Sequence, residues 1–198
     1  LGRPVKEKTL SQQDIINAAI ACLEQEGELA LGVHRVAREI GIKPPSIYKH
    51  FDGNAALKEA VTLEIWRRFI SHYRRAATGI DEPEEQLHQI GYAIRDFARQ
   101  HPILWRVMAQ VRVDASVDAF KNIVHEIASF YTSALRSYSF NADELVDAIR
   151  IFHAAVYGFI QAESSGMFVL SRPTTASFDV MLSVMTEALN ALATRNQP

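Results

Sequence analysis

Apolar residues recur at helical spacing along almost the whole 198-residue chain, and no segment alternates in the manner of a β-strand. That pattern confines the chain to an all-α architecture, and the absence of an internal repeat removes the solenoids. Hydrophobic residues make up 48% and charged residues 22%, enough apolar material for a core without disulfides or a metal. The single cysteine, Cys22, rules out an intramolecular disulfide and fits a reducing, cytoplasmic setting. No run of about 18 apolar residues stands out, so no membrane helix is expected. Residues 1–9 are polar and basic and lack the apolar stretch of a secretory signal.

The periodicity resolves into about nine helices. The first is expected from Ser11 to about Gly27, with Ser11 as N-cap, Asp14 three residues on, and Ile15, Ala19, Cys22 and Leu23 as its apolar stripe. Cys22 is therefore read as a core residue. A short helix follows at Val33–Ile40, closed by Gly41, which can take the left-handed conformation that helix ends favour. Lys43-Pro44-Pro45 forces extended backbone before another short helix, about Pro45 to Phe51. After Asp52-Gly53-Asn54 comes a long helix from about Ala55 to Ala77, with Leu57, Val61, Ile65 and Phe69 every four positions. Further helices are expected near Pro83–Gln100, Pro102–Val111, Val117–Tyr138, Ala142–Ser165 and Pro173–Arg195. The division expected is a head over residues 1–54, a connecting helix over 55–78, and a helix bundle over 79–198.

The net charge of −2 conceals an asymmetry. Residues 1–80 carry 12 Lys and Arg against 9 Asp and Glu, whereas residues 81–198 carry 9 against 14. A phosphate-binding surface needs only a local basic excess, so the head can meet nucleic acid although the chain as a whole is acidic.

Val33 to Phe51 has the layout of a helix-turn-helix. Ala37 is small where the supporting helix must meet its partner, Gly41 opens the turn, and Ile42 and Ile47 plug the core. The second helix can then enter a major groove by its N-terminal end. The string Val36-Ala-Arg-Glu-Ile-Gly-Ile-Lys-Pro-Pro-Ser-Ile-Tyr-Lys-His-Phe51, followed by Asp-Gly-Asn-Ala-Ala-Leu57, resembles the DNA-binding signature of the tetracycline-repressor (TetR) family. Ser46-Ile-Tyr-Lys-His-Phe51 is its most specific part, and the likeness is strong over roughly residues 10–60. Arg150 to Phe168 is similar to the eighth helix of one C-terminal subgroup, except that Tyr157 stands where that subgroup usually has histidine before the glycine.

The resemblance implies a ligand-responsive homodimer that binds double-stranded operator DNA, most simply a repressor; an activator of the same build, or a helical ligand-binding protein with a degenerate head, stays open. It implies that Tyr48 and His50 hold phosphates, that Ser46 touches backbone or a base edge, and that Lys43, Pro44, Pro45 and Lys49 lie along the groove-facing surface. His34 and Arg35 would add backbone or guanine contacts. Arg35 and Lys49 are the expected base readers, since arginine and lysine alone can give two hydrogen bonds to guanine O6 and N7. Two departures stand out. Asn54 replaces a lysine common in the family and offers phosphate only a neutral hydrogen bond. Gly32 replaces the usual Ser or Thr N-cap of the supporting helix. Arg3, in the basic segment before the first helix, reads either as a minor-groove arm or as a solvated tail.

No nucleotide loop, nucleophile elbow or Cys–His pair is present, so an enzyme is not expected. Glu85-x-x-His88 has the spacing of a di-iron ligand pair but no second copy, and no metal or other cofactor is expected. Aromatic and sulfur side chains crowd the second half. The resemblance implies an effector pocket there, with Trp105, Met108, Phe120, Tyr131 and Tyr157 as candidate lining. No buried cationic pair stands out, which favours a neutral, apolar effector. The last two helices are expected to form the dimer seam, with Ala154, Ala155 and Gly158 small enough for close approach.

Overall fold

The computed structural model describes residues 10–110 and 118–194. Nine α-helices account for most of them, and no strand occurs among the described residues. Val111 and Val117, where two expected helices end and begin, lie outside the described residues. The chain packs as two compact units, the first built from the residues up to Trp66 together with the segment beginning at His101, the second from the remainder.

In the first unit, α1 (Gln12–Glu26) starts with a capping box in which Ser11 and Asp14 satisfy each other's backbone N–H groups. It ends at Gly27, whose φ of 82° only glycine takes readily. A single 3-10 turn, Glu28–Ala30, leads to α2 (Val33–Ile40), and α3 (Pro44–Tyr48) follows. The helix α4 (Gly53–Ala77) contributes to this unit as far as Trp66. Ile15, Ala19, Cys22, Leu23, Val33, Val36, Ala37, Ile47, Leu57, Val61 and Ile65 are all at most 1% exposed, so the core is continuous across the four helices. Cys22 is part of it, and burial pushes its thiol pKa up, which makes it an inert packing residue. The helix α6 (Pro102–Gln110) packs against α1 in the same unit. A contact of 2.6 Å between His101 Nδ1 and a Glu24 carboxylate oxygen ties its start to α1.

The second unit contains the rest of α4 and four helices: α5 (Pro83–Gln100), α7 (Asp118–Ala134), α8 (Ala142–Ser164) and α9 (Thr174–Thr194). The expected helix to Tyr138 stops four residues early: Leu135 leaves helical geometry, Arg136–Tyr138 form a 3-10 turn, and Ser139 takes a positive φ of 54°. The helix α8 restarts at a second capping box made by Asn141 and Glu144. Gly91 on α5 lets α9 come so close that an added Cβ would sit 2.7 Å from Leu182 Cδ2.

Arg95 is the buried cation that sequence reasoning missed. It is 3% exposed, holds Glu163 through Nε at 2.9 Å and Nη2 at 2.5 Å, and lies 4.8 Å above the Phe178 ring. Thr174 donates to the same carboxylate at 2.6 Å. The guanidinium first, and then the threonine, pull the Glu163 pKa down to about 2.

By length and composition α8 is apolar enough to cross a membrane, although only 22% of its most apolar stretch is buried. One face, Ala148, Phe152, Val156 and Ile160, is core, while Val146 and Ile151 are 43% and 47% exposed.

Candidate nucleic-acid interface

The turn between α2 and α3 follows from local chemistry. Gly41 takes φ 75° and its N–H reaches the Arg38 carbonyl, while the Ile42 N–H reaches that of Ala37 at 2.9 Å. This pair of bonds is a Schellman motif, and it aims the chain away from the α2 axis. Lys43 is extended, as the residue before a proline must be, and Pro44 opens α3 where no N–H is needed. Ile47 is fully buried and anchors the short helix; Phe51 is 7% exposed and closes the core behind it. The Gln12 side chain donates to the His50 carbonyl at 3.0 Å, fixing the end of α3 to the start of α1. The expected helix to Phe51 therefore ends at Tyr48.

With Ile47 turned inward, the opposite face is open. Lys43, Pro45, Tyr48 and Lys49 are exposed, Tyr48 by 49%, and Pro44, Ser46 and His50 are half-buried beside them. Lys43 and Lys49 make no ion pair among the described residues, so both ammonium groups are available to phosphate or a base edge. His34 is exposed on the first turn of α2. Arg3 lies outside the described residues.

Two residues are engaged differently from the sequence expectation. Arg35 Nε lies 3.0 Å from both carboxylate oxygens of Glu26, Nη1 is 2.8 Å from Glu39, and Nη2 also pairs with Glu26. Each of its three nitrogens meets a carboxylate, so a guanine contact would compete with these ion pairs. The Arg35 bonds hold the Glu26 carboxyl below its usual range. Asn54 instead looks inward: its Oδ1 accepts the Val33 N–H at 2.8 Å. Gly32 has no side chain to cap α2, and a Cβ there would stand only 3.7 Å from that same Oδ1. The two departures from the family pattern are thus one device, a cap supplied from α4 to α2. Since the Val33 N–H requires an acceptor, the Asn54 amide N–H₂ must point the other way, and the residue is exposed.

In the second unit, Tyr131 and Tyr157 fall in one aromatic cluster with two residues that sequence reasoning passed over. The Tyr131 ring is 4.8 Å from His153 and 6.3 Å from Tyr73, and His153 is 5.6 Å from Tyr157. The Tyr73 and Tyr131 hydroxyls are buried without a hydrogen-bond partner among the described residues. Burial raises the pKa of all three phenols and lowers that of His153 to about 4. Phe120 is buried in this unit, whereas Trp105 and Met108 are buried residues of α6 in the first. No local signal joins residues 73, 131 and 153 in the sequence.

A short exposed helix set on a buried pair by a tight turn defines a helix-turn-helix protein of the all-helical class. Residues 15–61 match the family described as bacterial regulatory proteins, tetR family, and residues 87–185 match the tetracyclin repressor-like C-terminal domain. The chain belongs to the TetR family and is a transcriptional regulator with an N-terminal DNA-binding domain. An uncharacterized HTH-type transcriptional regulator of Mycobacterium tuberculosis, Rv0681, is 26% identical over 84% of this chain and 75% of that protein. The nucleoid occlusion factor SlmA of Haemophilus influenzae is 28% identical over 54% of the chain, a match spanning about half (48%) of the factor. In fold, the chain is similar to apo ActR from Streptomyces coelicolor, with TM-score 0.71 and 18% identity over 96% of this chain and 99% of that one. It is similar also to a single-substitution variant of TetR from Acinetobacter baumannii in complex with minocycline, with TM-score 0.66 and 18% identity over 93% and 99%.

Proposed function

We propose that the chain is a dimeric repressor that occupies a near-palindromic operator and leaves it when a small, mostly apolar effector binds. The observation that carries the DNA half is the open face of α3, with Lys43, Pro45, Tyr48 and Lys49 exposed over a fully buried Ile47. Two such helices, one per protomer, would occupy successive major grooves. Lys49 is the base reader of this reading, Tyr48 and His50 the phosphate contacts, and Lys43, Pro44, Pro45, Ser46 and His34 the surrounding surface. Asn54 contributes through its free amide, and Arg35 acts by fixing α2.

Dimerisation is supported by the outer faces of α8 and α9. Ile151, Val180 and Val184 are 47%, 52% and 59% exposed, and a Cβ on Gly158 would meet nothing within 4 Å. With Ala154 and Ala155 beside Gly158, these positions suit a close helix–helix approach to a symmetry mate. Covering them also accounts for an apolar helix that the single chain leaves largely unburied. Such a regulator works in the cytoplasm, where its operator is.

The minocycline complex of the Acinetobacter protein supports an effector role for the second half. Trp105, Met108, Phe120, Tyr131 and Tyr157 remain the candidate contacts. An effector shifts the equilibrium only by its difference in affinity for the operator-bound and released states, and about 1–3 kcal/mol lowers operator affinity roughly 5- to 150-fold. A tilt of α4 would pass that difference to the head. Sedimentation of the free protein at micromolar concentration tests the assembly. The expected species has twice the 22.2 kDa chain mass, and Val184→Glu on the seam should shift it to monomer. A wild-type monomer overturns the reading.

A further inference from the structure

A core that needed only bulk would place phenylalanine at positions 73 and 131. Phe130 and Phe152 do that next to Tyr131, with ring centroids 5.4 and 5.8 Å away. Tyr73 on α4 and Tyr131 on α7 instead bring two hydroxyls inside that find no acceptor among the described residues. Stranding a donor in this way costs stability, and native interiors rarely tolerate it without a use. The third polar tip, His153 on α8, makes no hydrogen bond among the described residues and stacks edge-on against Tyr131. Desolvation alone holds its pKa near 4, so it is neutral under ordinary conditions. His153 and Tyr157 also keep part of their surface accessible, although their ionisation is penalised like that of interior groups. Arg74, next to Tyr73 in the chain, is spent on Glu126 at 2.7 Å and lies over Phe130.

We propose that Tyr73, Tyr131 and His153 are the polar end of the effector site, and that the effector is a neutral, mostly apolar molecule presenting a carbonyl-type acceptor to the two hydroxyls. The proposal rests on the ligand-responsive reading above and gives that ligand a class. A carboxylate or a cation would find no counter-charge among the described residues of the cluster and would lose its hydration on the way in. The hydroxyls have no accessible surface in this structure, so an acceptor reaches them only where α4, α7 and α8 stand further apart. The effector therefore selects an open arrangement over the closed one, which is the differential affinity a switch requires.

The test uses the full-length protein and its Tyr73→Phe and Tyr131→Phe variants. Thermal unfolding comes first: removing a hydroxyl that has no partner leaves the midpoint within about 2 °C of wild type or raises it. A drop of about 4 °C or more in both variants shows that the hydroxyls have structural partners and overturns the proposal. The second readout is fluorescence titration with prodan, a neutral naphthyl ketone, and with its dimethylaminonaphthalene parent, which lacks the carbonyl. Wild type is expected to favour the ketone by about tenfold, the worth of one to two buried hydrogen bonds, and Tyr131→Phe to abolish that preference without weakening the parent. No saturable ketone binding, or a preference that survives in both variants, overturns it. Operator affinity in the same samples reads release separately, so failure of the ligand class and failure of the release mechanism are told apart.

Discussion

The turns of the DNA-facing head and the interior of the second unit treat their polar groups differently. Around the recognition helix the chain turns are each held by a bond: Ser11 with Asp14, Gly41 and Ile42 on the α2 carbonyls, Asn54 on the Val33 N–H. Even Arg35, a residue with the chemistry to read a base, is used to hold α1 and α2 together. Inside the second unit the strong polar connection is Arg95 with Glu163, Thr174 and Thr175, while the Tyr73 and Tyr131 hydroxyls go without. A surface that must present a fixed geometry to DNA benefits from satisfying its local bonds. An interior that must change shape on binding keeps donors in reserve.

The comparison can be broken most forcefully at Arg95. Glu163→Gln removes the charge that compensates a 3% exposed guanidinium, and the second unit should lose about 3 kcal/mol in denaturant unfolding. The pair also sets an acid dependence. Because the folded Glu163 pKa lies near 2, below its ordinary 4.5, the stabilisation is complete above about pH 4.5 and fades as pH falls toward 2. Wild type should therefore lose stability more steeply than Glu163→Gln over that interval.

On the head, Lys49→Ala should cost about 1–3 kcal/mol of operator binding and relax selectivity at the base it reads. Lys43→Ala, if Lys43 meets phosphate, should weaken all duplexes alike and lower the salt slope by about one. Anisotropy titrations on matched and mismatched duplexes separate the two. A smaller effect is expected at the borrowed cap. Asn54→Ala should destabilise the head by about 1 kcal/mol. Adding Gly32→Ser should restore most of it, because position 32 is already extended, with φ −155° and ψ 150°. Non-additivity of the two changes in thermal melts is the signature. Smallest of all, and opposite in kind, is Tyr131→Phe, which takes away a polar group at no expected loss of stability.

What the sequence made legible was whatever is decided within a turn or two of helix. Ser11, Gly41 and Asn141 each set an element boundary through bonds to residues at most five positions away, the Pro44-Pro45 pair sets one by its fixed backbone angle, and Leu57, Val61, Ile65 and Phe69 are buried as their spacing requires. The end of α7 was less legible, because Leu135 and Tyr138 are apolar enough to continue the stripe yet are buried by a change of direction at Ser139. The Arg35 ion pair was not legible because its partner Glu26 sits nine residues back across a break in the helix pattern. Asn54 and Gly32 looked like two independent weaknesses because the Asn54 bond to the residue after Gly32 spans 21 positions. The Tyr73, Tyr131 and His153 cluster draws on three helices, and no spacing rule connects them.

The central claim is that the open face of α3 reads sequence. Selection from a random duplex library, followed by anisotropy titration of the winning duplex at several salt concentrations, tests it most directly. The account predicts a near-palindromic winner bound at least about a thousandfold more tightly than random DNA. Weak binding to every duplex, falling steeply with salt and without enrichment of any sequence, would mean that the face grips backbone alone and would contradict it.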